Sequence, residues 1–292
     1  MTQQNSPSAA ESNTSGSAAT SAWTRVTALA SGGGTLLAAL AATGALWFTG
    51  QSLHATNTQL DTSQQTAATD RFRLAAEQLS SDKINVRVAG IYLFERLAKD
   101  SPADHATVYS VLTAFVRTQA PVNNCPTPPE SAVAPVDIQV AMTVIGRRDS
   151  SREQLVDKPD LSGTCLVGVN LRDAHLDEVN LRGANLEHAN LTGASLGITH
   201  LDRANLAWAN LEWADLSLTG LTGANLEHAD LFTAHLEDAQ LDDANLRDAD
   251  LTNARLTDVD LQSANLEHAK LTGIRYGEWM KWPEGFTPPP SR

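Results

Sequence analysis

The chain has 292 residues, 42% hydrophobic and 19% charged, with a formal net charge of −13. That length admits two domains, and the negative sign disfavours direct binding to the phosphates of nucleic acid. The two cysteines, Cys125 and Cys165, have no metal-ligand spacing and form no disulfide framework, so two separate thiols are expected; a bridge between them needs an oxidising compartment.

Residues 1–22 are rich in Ser, Thr, Ala and Gln and hold no basic residue, a composition that predicts a disordered tail. Residues 26–49 carry no charge over 24 positions, VTALASGGGTLLAALAATGALWFT, more than the roughly 20 that span a bilayer. A single-pass membrane helix is predicted there. Its orientation rests on Arg25 alone, which places the tail in the cytoplasm by the positive-inside rule. The next basic residue, Arg71, is far downstream, so the side of the membrane that carries the rest of the chain stays open. Residues 50–70 are polar and read as a stalk.

Residues 71–120 show helical periodicity. One helix over 71–79 would align Phe72, Ala75, Ala76 and Leu79. A second, starting after Ser81 and ending before Asp100, would bury Val88, Ile91, Tyr92 and Leu97. Ser101-Pro102-Ala103-Asp104 reads as a start signal with Ser101 as N-cap, ahead of Val108, Val111, Leu112, Phe115 and Val116. The proline-rich stretch 121–136 reads as a linker, and 137–148 as a further helix.

From Leu161 to Leu271 a leucine occupies every fifth position, 23 in an unbroken series. Two positions before each stands a small residue, usually alanine, with mostly Asn or Asp between. A helix would scatter such leucines around its surface and a strand would alternate them between faces. If the chain bends once per five residues and closes a square coil after four units, both series point at a central axis and the other three positions face water. Nearly six coils at about 4.8 Å spacing make a rod roughly 27 Å long. The axis would be filled by leucines worth about 1.5–3 kcal/mol each on burial.

Units such as Ala184-Asn185-Leu186-Glu187-His188 and Ala224-Asn225-Leu226-Glu227-His228 resemble the pentapeptide-repeat family, whose motif is A(D/N)LXX, across residues 160–275. The resemblance implies a right-handed quadrilateral parallel β-helix, and so a mainly β fold preceded by one transmembrane helix and a small α-helical region. It implies no single activity. Residues 70–116 and 137–149 are similar to the helical region that precedes the repeats in bacterial membrane-associated members. The segment 276–292, with Trp279, Trp282, Pro283, Glu284, Gly285 and Phe286, resembles the tail that follows the repeats in the same family and reads as a lid, with a free tail from Thr287.

No nucleophile motif, glycine-rich phosphate loop or zinc-binding HExxH occurs, and the carboxylates sit on a convex surface instead of in a desolvated pocket. Neither an enzyme nor a cofactor is expected. His188, His228 and His268, 40 residues apart, should lie two coils apart in one column with Trp208 and Asp248 between them, about 9.6 Å from one histidine to the next, too far to share a metal. No metal site is expected.

Two surfaces stand out. Trp208, Trp213, Phe232, Ile198 and Leu218 occupy outward positions where the repeat is usually polar, an apolar cluster that suggests a protein contact. The threonines beside Ile198 and Leu218, Thr199 and Thr219, fall in the inward series and suggest an altered corner there. The rod also carries 19 acidic and 7 basic residues, net −12, with Glu237, Asp238, Asp242, Asp243, Asp248, Asp250, Asp258 and Asp260 crowded into its last coils. Some family members protect DNA gyrase with an acidic rod shaped like DNA, so a DNA-mimic inhibitor or protector is the alternative to a membrane-anchored scaffold that binds an unidentified protein partner.

Overall fold

The structure, a computed structural model, describes residues 66–125, 133–153 and 158–291. The tail expected at 1–22, the membrane helix expected at 26–49 and the stalk up to residue 65 lie outside the described residues, as do 126–132 of the linker. Among the described residues no helix is long and apolar enough to cross a membrane. The last five stalk residues, 66–70, are already helical.

Helical backbone at 66–79 forms α1, followed by α2 (Ile84–Asp100), α3 (His105–Gln119) and α4 (Val136–Ile145). Helices α2, α3 and α4 pack against one another. The buried face of α2 is Gly90, Ile91, Phe94, Leu97 and Ala98, a spacing of three and four that keeps them on one stripe. Tyr92, expected inside, is exposed, because it lies one position, about 100°, off that stripe; Phe94 is buried instead and meets the edge of Phe72 at 5.1 Å. Gly90 lets α1 and α2 approach: a Cβ there would stand 2.8 Å from the Leu79 amide nitrogen. The Ser101–Asp104 start signal is not an N-cap. Ser101 Oγ donates instead to the Asp104 carboxylate at 2.7 Å, and α3 begins one residue later without a side-chain cap.

Residues 160–275 form the square coil. All 23 leucines are at most 8% exposed, and Ala184, Ala204, Ala224 and Ala244 two positions before their leucines are almost fully buried. Consecutive coils meet through isolated parallel bridges, not extended strands, and each pairs a residue with the one 20 further on: Asn185 with Asn205, then Asn225, Asn245 and Asn265. Four pentads therefore close one turn. The Asn and Asp between the inward residues have a local reason. Their side-chain oxygens accept the backbone N–H two residues ahead, as from Glu187 to Asn185 at 3.0 Å, fixing the bend. Along one face the asparagines also pair from coil to coil at 2.9–3.1 Å.

Residues Thr199 and Thr219 do not alter the corner. Each hydroxyl donates to a buried carbonyl, Leu176 O and Leu196 O, at 2.7 Å, so an inward polar group is satisfied without a change of register.

The helical region closes the first coil. Backbone N–H groups that would otherwise form an open edge donate to it: Cys165 to Ala120 O at 2.7 Å, Asn170 to the Gln139 side-chain oxygen at 2.8 Å, and His175 to Gly146 O at 2.8 Å. Gln139 also donates back to Asn170 O, so its amide acts as one more peptide of the ladder. The stretch expected as a linker is bound to the rod as well. Pro121 pairs antiparallel with Thr164, and Cys125 is disulfide-bonded to Cys165, with Cα atoms 5.4 Å apart. Two separate thiols were the expectation; the backbone pairing at 120–122 brings them together. Beside this junction lies a buried charge cluster: Arg148 Nε donates to Glu153 at 2.9 Å and its terminal nitrogens to the His175 and Asp177 carbonyls, with His105 and Lys158 within 4 Å of the same carboxylate. Burial pushes the nearby Tyr109 hydroxyl up to about 12.

At the far end, Leu261 N–H donates to Lys281 O at 2.9 Å, and Tyr276, Trp282 and Phe286, their rings 5.2 Å apart in turn, pack against the core at the end of the leucine column. Lys281 donates to Asp260 at 2.6 Å, a bond that holds this carboxyl below its ordinary range. Trp279 stands 85% exposed and is not part of the lid. The tail beyond Thr287 is tied back, since Tyr276 donates its hydroxyl to Pro289 O.

Candidate interaction surface

Each pentad turns at the residue two past its leucine, and that residue takes a left-handed conformation. Twenty-two such corners, from Gly163 to Gly273, have φ between 54° and 69°. Glycine adopts this region freely and Asn or Asp tolerates it, whereas other L-residues meet a clash between Cβ and carbonyl worth about 1–2 kcal/mol. Most corners hold Gly, Asp, Asn or His. Ile198, Trp208, Trp213 and Leu218 do not; they sit at φ 58–60° with side chains 52–60% exposed.

These residues occupy three consecutive corners of the square. Trp208, Trp213 and Leu218 follow one another at intervals of five, and Ile198 stands one coil before Leu218. Phe232, half-buried on the face leading to the next corner, meets the Trp213 ring edge-on at 6.2 Å. Trp208 lies between two histidines of its column, 6.1 Å from His188 and 4.0 Å from His228, with near-parallel rings. The five expected contact residues thus fall on adjoining corners and faces of one stretch of rod.

The acidic residues divide differently. Glu237 faces Arg255 at 3.6 Å, Asp248 faces Arg247 at 3.3 Å, Asp250 faces Lys270 at 3.0 Å and Asp260 faces Lys281. Asp238, Asp242, Asp243 and Asp258 are exposed corner or near-corner groups. The acidic coat is therefore partly neutralised by its own chain.

Sequence reasoning placed the three histidines in one column with Trp208 and Asp248 between them, but weighed only the spacing of the histidines for a metal and not the carboxylates beside them. Asp248 stands one coil from His228, and ligand atoms of Glu227, His228 and Asp248 all lie within 4.8 Å of one another.

The family model for pentapeptide repeats matches 160–197, 199–238 and 239–275 in eight copies. The repeat region belongs to the pentapeptide-repeat family. The chain is similar to a pentapeptide repeat protein of the Arabidopsis thaliana thylakoid lumen, with 36% identity over 34% of this chain, 66% of that one and a TM-score of 0.22. It is also similar to Rfr23 of the cyanobacterium Cyanothece 51142, with 32% identity over 42% of this chain, 90% of that one and a TM-score of 0.23. QnrB1, a plasmid-mediated fluoroquinolone resistance protein, shares 17% identity over 44% of this chain and 70% of its own, with a TM-score of 0.23. No curated protein matches the chain.

Proposed function

We propose that the pentapeptide-repeat rod is a rigid, non-enzymatic protein-interaction element whose contact surface centres on Trp208, Trp213, Phe232, Ile198 and Leu218. The observation that carries this reading is the apolar residues at left-handed corners. Each costs folding stability through its backbone and, at more than half exposed, recovers little by burial, so stability alone gives little reason for them. Binding energy in protein contacts concentrates in a few aromatic anchors, and two adjoining tryptophan corners supply them. The rival reading, a DNA mimic, depends on a continuous anionic surface; the lysine and arginine partners of Glu237, Asp248, Asp250 and Asp260 interrupt it.

The chain is further proposed to be anchored to a membrane through residues 26–49. The Cys125–Cys165 bridge supports an oxidising location for the rod, which agrees with a cytoplasmic tail at Arg25.

Crosslinking in cells, followed by capture with purified variants at two salt concentrations, tests the contact surface. Trp208→Ala with Trp213→Ala should abolish capture of the crosslinked protein and leave the fold intact, while charge reversal at Asp242 and Asp243 should change mainly association rate and salt dependence. The opposite ranking, with charge reversal dominant, would overturn the proposal in favour of the mimic.

A further inference from the structure

We infer that Glu227, His228 and Asp248 form a binding site for a divalent transition ion of the zinc class on the outside of the rod. The three side chains converge because the coil repeats every 20 residues: Glu227 and His228 are neighbours at one corner, and Asp248 is the corner residue directly above. One ligand atom from each lies within 4.8 Å of the other two, and all three residues are half-buried. An ion at the centre of a triangle with sides of that length is about 2.8 Å from each atom, so side-chain shifts of under an ångström bring nitrogen and oxygen to the ordinary ~2.0–2.2 Å of a zinc site.

Three features prepare the site. The imidazole of His228 is stacked on Trp208 at 4.0 Å, which fixes the plane of its ring, and neither of its nitrogens bonds to another described residue. Glu227 is approached from behind by the Asn245 side-chain amide at 3.5 Å, which orients the carboxylate. Two carboxylates held this close repel each other, and a cation between them relieves that repulsion. Asp248 has other neighbours, Arg247 at 3.3 Å and His268 Nδ1 at 3.4 Å. Both are exposed contacts that hold it weakly, and His268 is the nearest further nitrogen donor. One imidazole with two carboxylates suits zinc, copper or nickel better than calcium or magnesium, which prefer oxygen alone. Three protein ligands leave a coordination position open.

The ion site and the contact surface are independent of each other, although Trp208 borders both. Untagged full-length protein titrated with zinc chloride by calorimetry at neutral pH should show saturable binding at one site. Zinc should also raise the unfolding midpoint. His228→Asn and Asp248→Asn should each weaken binding at least tenfold; asparagine is tolerated at a left-handed corner, so both variants should keep their circular dichroism. His188→Asn should bind like wild type, because the column places Trp208 and not a carboxylate beside His188. A copper(II) titration gives a second readout: quenching of Trp208 fluorescence that disappears in Trp208→Phe and in His228→Asn. Absence of saturable binding would overturn the site, as would equal affinity in wild type, His228→Asn and Asp248→Asn, or equal loss in His188→Asn.

Discussion

Replacing Leu226 by alanine tests the square coil at its centre. Leu226 is fully buried, and its N–H donates to Asn245 O at 2.7 Å. Truncating a buried leucine costs about 2–5 kcal/mol, the larger values arising where surrounding atoms cannot collapse into the cavity. Collapse is restricted here, because bridges on both sides hold the neighbouring coils at their spacing; about 4 kcal/mol is therefore expected. For a domain of this size that lowers the unfolding midpoint by roughly 8–16 °C. Leu271→Ala should cost less, since Leu271 retains 8% exposure under the lid. Thr222→Ala, at an outward position one past its leucine, should stay within about 0.5 kcal/mol. Thermal unfolding followed by circular dichroism on the three variants gives the comparison. Equal shifts for Leu226→Ala and Thr222→Ala would refute an axis built from the leucine series.

Two further outcomes concern the junction of helices and rod. Cys165→Ser should lower stability by about 3–4 kcal/mol, the value for cross-linking residues 40 apart, and a reducing agent should destabilise wild type alone; an unchanged midpoint for reduced wild type would show that the bridge contributes nothing. Arg148→Ala should cost about 3–5 kcal/mol, because it removes the hydrogen-bonded cation of the buried Glu153 carboxylate and leaves it only the longer ion pair with Lys158 at 3.7 Å, whereas Arg182→Ala, removing an exposed pair with Asp202, should cost less than about 1 kcal/mol. Urea unfolding of both variants distinguishes a buried pair from a surface one.

The leucine spacing made the rod legible because a period of five admits few geometries, and each leucine tests the same register. The helices were legible as elements but not in detail. Tyr92 and Phe94 differ by two positions, and it is Phe94 that continues the stripe of Ile91 and Leu97 and meets Phe72. The closure of the first coil was not legible. The amide of Gln139 replaces a peptide across 31 residues, and Cys125 reaches Cys165 through a segment whose prolines read as a spacer. Neither partnership leaves a local pattern, since each depends on where the chain returns after α3 and α4. The apolar corner residues were legible as departures from the repeat, but their left-handed backbone was not. The ion site was not legible because the column spacing holds the histidines apart and says nothing of Glu227, whose carboxylate meets His228 and Asp248 only once the side chains are placed.

The corner explains why departures from the repeat carry more information than the repeat itself. Inward positions are committed to filling the axis, and the Asn or Asp position is committed to accepting the N–H that fixes the bend. The corner side chain points away from both, so the fold constrains it only through tolerance of positive φ. Gly183 and Gly193 meet that constraint without strain, and Asp243 and Asn253 with little. A β-branched residue meets it worst, yet Ile198 is there, exposed, one coil from an exposed Leu218 and within two corners of two tryptophans. Scattered apolar corners would be unremarkable on any protein surface. Their confinement to the stretch between 198 and 218, with Phe232 against Trp213, is what joins separate local departures into one apolar surface, the one proposed above for a protein contact.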